Sequence, residues 1–386
     1  MTDGGGQTSH GTTRGVSYWD YLRIDELLSL QAGVERDESK LTNHEVLFIV
    51  VHQVFELWFK LVLREAASVR DVMRAVPVPE QSLAAAVASL RRVQVVFEQM
   101  AQHWRLMETL TTRDFLDFRD KLIPASGFQS GQFRELEVLL GLRAEERMKF
   151  GGDAGWVKAL TEADGRESGS LQRVRSRIAD TPTLRDVVDA WLHRTPIRGS
   201  APTDPGDDNV VRAFVDSFLA AHAREIGDPD ARAARQADDE GERRRIAAQY
   251  RQEIDGARRF LLAEDAPEAD RARRRRIRAA IVFLESYREL PLLAWPREFV
   301  DTLVAAEQSM LIFRQRHARM VEREIGRRTG TGGSSGVAYL DETALRYRVF
   351  PDLWTVRTVL LRRDAVPPLA DPSYYDFRFD GPGTSQ

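Results

Sequence analysis

Residues Phe299–Met320, FVDTLVAAEQSMLIFRQRHARM, decide how this chain folds. Phe299, Leu303, Ala306, Met310, Phe313, His317 and Met320 follow one another in steps of four, three, four, three, four and three. Their side chains therefore share one face of an α-helix, and a face that apolar must be buried. His317 interrupts it. An imidazole there is either a hydrogen-bonded core group or the axial ligand of a large, flat, apolar cofactor. In a chain without cysteine the second alternative means haem held through histidine. Just over a dozen residues later comes the loop Gly330-Thr331-Gly332-Gly333-Ser334-Ser335-Gly336. It is not a P-loop, because Val337 and Ala338 stand where lysine and a hydroxyl residue are required. It is not a dinucleotide fingerprint either, because a helix running through Ile325, not a strand, leads into it. Its backbone amides and small hydroxyls suit either a surface connection or close approach to a small polar ligand.

Outward from this helix the pattern stays helical. Tyr21, Leu22, Ile24, Leu27 and Leu28 give an apolar side beginning near Tyr18, and a polar break spans Glu35–Asn43. Glu45–Val72 contains neither glycine nor proline. A further helix begins near Pro79, carries Leu83, Val87, Leu90, Val93 and Phe97 on one face, and continues towards Trp104. Leu106–Leu122 is a shorter segment closed by Pro124 and Gly127, and Gln132–Leu142 and Leu184–His193 are further helices. Thr195–Asp208 reads as a loop. The charge-dense stretch Ala223–Arg278, with Arg243-Arg244-Arg245 and Arg273–Arg276, reads as a solvated helical hairpin within an insertion of about 210–280. No alternating strand pattern stands out. The expectation is an all-α helical bundle over 16–365, with tails at 1–15 and 366–386.

At 386 residues, 42% hydrophobic and 30% charged, the chain has the profile of a soluble globular protein. A net charge of −3 gives no electrostatic reason to expect nucleic acid or an acidic membrane as partner. The absence of cysteine removes disulfides, thiolate metal sites and cysteine nucleophiles together. No run approaches the roughly 18 consecutive apolar residues of a membrane span. Met1–Gly15 lacks the apolar core of a secretory signal, so a cytoplasmic location is expected.

Two more clusters carry chemistry. Phe48 and His52 stand four apart and share a helix face with Phe55 and Phe59, so His52 is either a core histidine or a catalytic group. A zinc-protease reading of His44-Glu45 fails, since Phe48 occupies the second ligand position. Arg119 lies among Phe115, Phe118 and Asp120, where it either pairs with Asp120 or Glu108 or clamps a carboxylate in a dry pocket. No Gly-x-Ser-x-Gly elbow supports serine hydrolysis.

Taken in order, these pieces resemble the tryptophan 2,3-dioxygenase family. The matching segments are Tyr18–Leu22, Phe48–Gln53, Glu56–Lys60, Phe115–Arg119, Ala125–Ser130, Arg316-His317, Gly330–Gly336 with Tyr339-Leu340, Arg346–Phe350 and Asp352–Trp354. The resemblance covers roughly Tyr18 to Leu361 and looks closer to the longer, animal-type members. It implies an all-α haem b enzyme, ferrous when active, assembled as a homotetramer, that uses molecular oxygen to cleave the indole C2–C3 bond of L-tryptophan and yields N-formylkynurenine.

By the same resemblance His317 matches the iron ligand and His52 the distal histidine near the indole N–H. Phe48 and Phe115 match walls around the indole. Arg119 matches the carboxylate clamp, and Thr331 the loop residue beside the ammonium and carboxylate. Trp104 and Ser126 match residues at the haem. Tyr18, Tyr21 and Leu22 match a segment that reaches a neighbouring subunit's pocket. Departures occur at Asn43-His44-Glu45, at Gly336-Val337-Ala338-Tyr339 and at Thr355–Thr358. Two alternatives stay open at this point: a monooxygenase that makes a 2-oxindole from tryptophan or a β-methylated tryptophan, and a non-catalytic haem-binding sensor.

Overall fold

The computed structural model describes residues 15–122, 129–147, 155–162, 164–328 and 336–376. In chain order the helices are α1 (Tyr18–Leu22), α2 (Ile24–Leu28), α3 (Asn43–Met73), α4 (Glu80–Met107), α5 (Thr112–Arg119), α6 (Gly131–Leu140), α7 (Gly155–Ala159) and α8 (Gly169–Ala179). They continue with α9 (Leu184–Arg194), α10 (Asp207–Ile226), α11 (Pro229–Ala234), α12 (Glu240–Leu261), α13 (Arg271–Ser286), α14 (Ala294–Ile325), α15 (Val337–Arg346) and α16 (Pro351–Thr355). No strand occurs among the described residues, only two isolated bridges. The fold is all-α, as the hydrophobic periodicity requires.

The long helices start and stop where local chemistry dictates. The Thr42 side chain accepts the Glu45 N–H to open α3, and no glycine or proline interrupts it before Met73. Thr111 and Asp114 form a reciprocal capping box, which breaks the expected Leu106–Leu122 segment in two: Leu106 and Met107 finish α4, and α5 starts afresh at Thr112. α14 lies along α4, which packs in turn on α3, and α15 folds back against α14. The predicted stripe is the buried face of α14: Phe299, Leu303, Ala306, Met310, Phe313 and Met320 are all in the core.

The charged third departs from the expected solvated hairpin. It contains four helices, α10 to α13, and three of them enter the core, α12 through Ala257, Phe260 and Leu261. Phe214 and Phe218 of α10 are fully buried, as is every residue from Ile277 to Leu284 of α13. The basic run ends inside the protein because Arg276 is matched by Asp207 in a two-point pair at 2.7 and 2.8 Å, and by the carbonyls of His193, Thr195 and Ser200. A buried guanidinium is tolerated when every donor has an acceptor. The end of the chain departs too. The Tyr375 hydroxyl accepts the Gly199 N–H and donates to the Pro196 carbonyl, and Tyr287 donates to the Pro367 carbonyl, so residues 366–376 belong to the packed body.

Among the described residues, α3 is the helix whose length and apolar composition would suffice to cross a membrane. Here Phe55, Phe59, Val62 and Val69 face the core, while Val50 and Leu57 stay exposed on the opposite side.

One carboxylate holds the segment from Val349 to Trp354 to α14. Glu307 is buried; its Oε1 accepts the Val349 and Phe350 backbone N–H groups and its Oε2 accepts the Trp354 indole N–H. Burial pushes this carboxyl up, against the opposing pull of those three donors. Glu307→Leu strands three buried donors, and urea denaturation should show a loss of about 2–4 kcal/mol. A loss within about 0.5 kcal/mol, the usual range for an exposed position, would contradict the clamp.

Candidate functional site

A cavity of about 500 Å³ opens between α3, α4, α5, α6, α14 and α15, within the range of roughly 300–1,000 Å³ usual for small-molecule sites. Each helix contributes by its own period. α3 presents Phe48, His52, Phe55 and Phe59; α4 presents Trp104 and Met107; α5 presents Phe115 and Arg119. α14 supplies Phe313, Arg314, His317, Met320 and Glu324, and α15 supplies Tyr339 and Thr343. Lys121 donates to the buried Glu45 at 2.8 Å, which ties the end of α5 to the start of α3 and holds Arg119 over the cavity.

His317 is half-buried and lines this cavity. Its ring stacks on Trp104, with centroids 4.5 Å apart and planes 7° apart, and Phe313 packs against both, 5.5 Å from Trp104 and 6.5 Å from His317. Burial, and to a smaller extent the neighbouring His52 and Arg314, push the imidazole down to about 3. It is neutral and makes no hydrogen bond to a described residue, so the aromatic stack sets its plane. A neutral imidazole facing a cavity offers a lone pair to a metal.

Across the cavity, His52 Nδ1–H donates to the Phe48 carbonyl at 2.7 Å. The carbonyl can only accept, so this bond assigns the proton to Nδ1 and leaves Nε2 as an acceptor. Burial lowers the pKa of His52, opposed by the Phe48 bond and by Glu56, which keeps the ring neutral. Phe48 stacks on it at 4.0 Å and stands 6.1 Å from Phe115.

A third region of the wall is charged. Arg134 and Arg314 both pair with the buried Glu137, Arg147 lies close enough to act on it, and Arg314 also sits over the rings of Phe133 and Tyr347. Burial would raise the Glu137 carboxyl, but Arg134 and Arg314 carry it below its usual range. Three guanidinium groups face one carboxylate, so this wall carries a surplus of positive charge among the described residues. Beside the stack, the Trp104 indole N–H is buried without an acceptor. An aromatic slot with a neutral imidazole, an orphaned N–H donor and surplus cations fits a porphyrin, whose flat body is apolar and whose edge bears two carboxylates.

The sequence-derived residues divide into three groups. Phe48, His52, Trp104, Phe115, Arg119 and His317 line the cavity together. Tyr18, Tyr21 and Leu22 do not: they lie exposed on α1, outside this chain's own cavity. Ser126 and Thr331 lie outside the described residues, while Gly336, the last residue of the glycine-rich loop, lines the cavity at the start of α15. Sequence reading missed Arg134, Glu137, Arg314, Tyr339 and Glu324. The one available signal was spacing: Arg134 and Glu137 stand three apart, and Arg314 and Glu324 stand three before and seven after His317.

The tryptophan 2,3-dioxygenase family model matches residues 3–360. A tryptophan 2,3-dioxygenase of Sorangium cellulosum is 54% identical over 371 residues, spanning 95% of this chain and 89% of that protein. Tryptophan 2,3-dioxygenase 2 of Ralstonia nicotianae is 52% identical over 366 residues, 94% of this chain and 98% of the relative. The Anopheles gambiae tryptophan 2,3-dioxygenase is 32% identical over 367 residues, 94% and 89% respectively. Near-full-length similarity thus extends to bacterial and insect proteins alike, and chain length does not single out the animal members.

Both histidines are neutral in the fold but take up a proton near the usual 6.5 when the chain unfolds. A depressed native pKa means that the unfolded chain binds more protons at acid pH. The cofactor-free protein therefore loses stability as pH falls below about 6.5, and for His317 the loss continues towards about 3. His317→Asn should lose less stability than wild type between about pH 7 and pH 5, measured by urea denaturation. Equal losses would show that the folded state does not hold His317 neutral.

Proposed function

The chain belongs to the tryptophan 2,3-dioxygenase family, and we propose that it is a haem b-dependent oxygenase that opens the indole ring of L-tryptophan with molecular oxygen to give N-formylkynurenine. The observation that carries this reading is the pair of neutral imidazoles, His317 on α14 and His52 on α3, facing one aromatic cavity that Arg119 also lines. When bound, haem supplies the iron centre at which dioxygen reacts with the indole C2–C3 bond.

The chain's own residues do the rest. His317, stacked on Trp104, would supply the nitrogen that holds the iron, and Arg134 and Arg314 would take the porphyrin carboxylates. Nε2 of His52 accepts the indole N–H, which orients the ring without requiring a proton to leave. Phe48 and Phe115 exclude water from the reacting face. Arg119 pairs with the substrate carboxylate, a contact that a planar guanidinium makes at two points. Thr331 and Ser126 complete the set on the strength of the resemblance.

We assign the chain a homotetrameric state in which Tyr18, Tyr21 and Leu22 cover a neighbouring subunit's cavity. Their support is that α1 and α2 bury none of their residues in their own chain, and that Trp19, Leu28 and Leu30 are exposed as well. Apolar surface of that extent calls for a partner.

Anaerobically reduced, haem-loaded enzyme mixed with L-tryptophan and then oxygen should give a ring-opened product that has gained two oxygen atoms, read by mass spectrometry with labelled dioxygen. A product with one added oxygen and an intact ring would replace the dioxygenase reading with a monooxygenase. Unchanged tryptophan with bound haem would leave a non-catalytic haem protein.

A further inference from the structure

α5 carries two residues of the cavity wall, Phe115 and Arg119, yet little of it is packed. Its 8 residues are too few for a helix to stand alone in water. Phe118 is its one buried residue, with its ring 5.6 Å from Phe48 and 5.4 Å from Phe115. One apolar contact fixes a point and leaves the helix free to swing about it. The angle of α5 is therefore set at its ends, and both ends meet the first turn of α3. At the start of α5, His44 Nε2 stands 3.8 Å from Asp114 Oδ1, a pair partly open to solvent. Just past its end, Lys121 Nζ donates to Glu45 Oε2 at 2.8 Å, and Glu45 is only 5% exposed.

Of the two, the bond from Lys121 to Glu45 is the stronger hold. A solvent-exposed ion pair is screened by water and contributes little. Glu45 is shielded from such screening, because the segment before α3 bends over it: a Cβ on Gly33 would stand 3.7 Å from Glu45 Oε1 and 2.9 Å from the Leu41 side chain. That bend has φ +64° at Gly33, which glycine adopts without strain. Glu45 also lies in the first turn of α3, at the positive end of the helix, which favours a carboxylate there. Lys121 belongs to the 3-10 turn Asp120–Leu122, between two lining residues, Arg119 and Leu122. Its Cα lies at most about 7 Å along the chain from that of Arg119, too short a span to absorb a shift.

The firmest grip on α5 is thus a charge outside the cavity, and what it aims is a charge inside. We propose that Glu45 is a positioning residue for substrate recognition: acting through Lys121, it sets the angle at which Arg119 meets the carboxylate of the amino acid. This rests on the functional reading above, which gives Arg119 that carboxylate, and extends it. A two-point contact between guanidinium and carboxylate is strongly direction-dependent, so it fails early when α5 swings. The indole ring depends less on that angle, because Phe48 and His52 are fixed in α3 itself and Phe118 stays at the pivot. Loss of the Glu45 link therefore weakens ligands that bear the carboxylate and spares the ring alone.

The test is equilibrium titration of haem-loaded, full-length protein, without oxygen, with L-tryptophan and with indole, which has the ring and no carboxylate, followed in the haem spectrum. Glu45→Gln and Lys121→Met each remove the link and Lys121→Arg keeps it; an unaltered ligand-free haem spectrum confirms an intact site in each variant. Glu45→Gln and Lys121→Met should bind L-tryptophan at least roughly fivefold more weakly and indole within about twofold of wild type, while Lys121→Arg binds both like wild type. A double-variant comparison needs no second ligand: beside Arg119→Lys, Glu45→Gln should weaken L-tryptophan further by less than about twofold. Unchanged tryptophan binding in both link variants, equal weakening of tryptophan and indole, or an undiminished Glu45→Gln effect beside Arg119→Lys overturns the assignment of Glu45 alone. Wild-type protein that binds no L-tryptophan overturns the functional reading, and this proposal with it.

Discussion

The site depends on keeping one imidazole neutral, oriented and facing the cavity. His317 achieves this without a hydrogen bond to any described residue. Its plane is set by Trp104, and Phe313 packs against both rings. Trp104 belongs to α4 and the other two rings belong to α14, so the cluster is the α4–α14 interface seen at one level. Orientation of the His317 ring is therefore a consequence of helix packing, and any change that slides α14 along α4 rotates it. The desolvation that holds the ring neutral comes from the same packed surface.

A second consequence follows from the length of α14. Over 32 residues this helix carries Glu307, which anchors the segment from Val349 to Trp354, then Arg314, His317 and Glu324 along the cavity. A cationic cluster and a carboxyl thus stand on either side of His317, with Arg314 beside Glu137 and Arg134 on one side and the unpaired Glu324 on the other. An apolar slot with polarity along its length distinguishes one orientation of an asymmetric, charged ligand from its reverse. α3 supplies the complementary surface. His52 is locked by its own helix carbonyl, so its acceptor nitrogen is positioned before any ligand arrives.

How much of this was legible beforehand depended on whether a residue's period or only its chemistry was informative. The stripe from Phe299 to Met320, the Phe48–His52 pair and Arg119 among aromatics were readable because burial imposes a helical period on apolar residues. Thr111 and Asp114 were readable as a capping box, yet the apolar residues on either side masked the break between α4 and α5. Arg134, Glu137 and Glu324 were not legible: charged residues three or four apart on a helix look the same whether they face water or a cavity. Arg276 was misread for a related reason. A run of arginines reads as solvated, and only the distant Asp207 turns one member inward. Tyr375 was lost in a tail rich in proline and glycine, because its partners at Pro196 and Gly199 lie some 180 residues away in sequence.

The central claim is that His317 binds the iron, and the most direct measurement is the haem spectrum of His317→Gly with and without added imidazole. The account predicts loss of tightly held haem in the variant and recovery of a wild-type-like histidine-ligated spectrum when free imidazole fills the space beside Trp104. Undiminished haem retention with an unchanged spectrum in the absence of imidazole would contradict it.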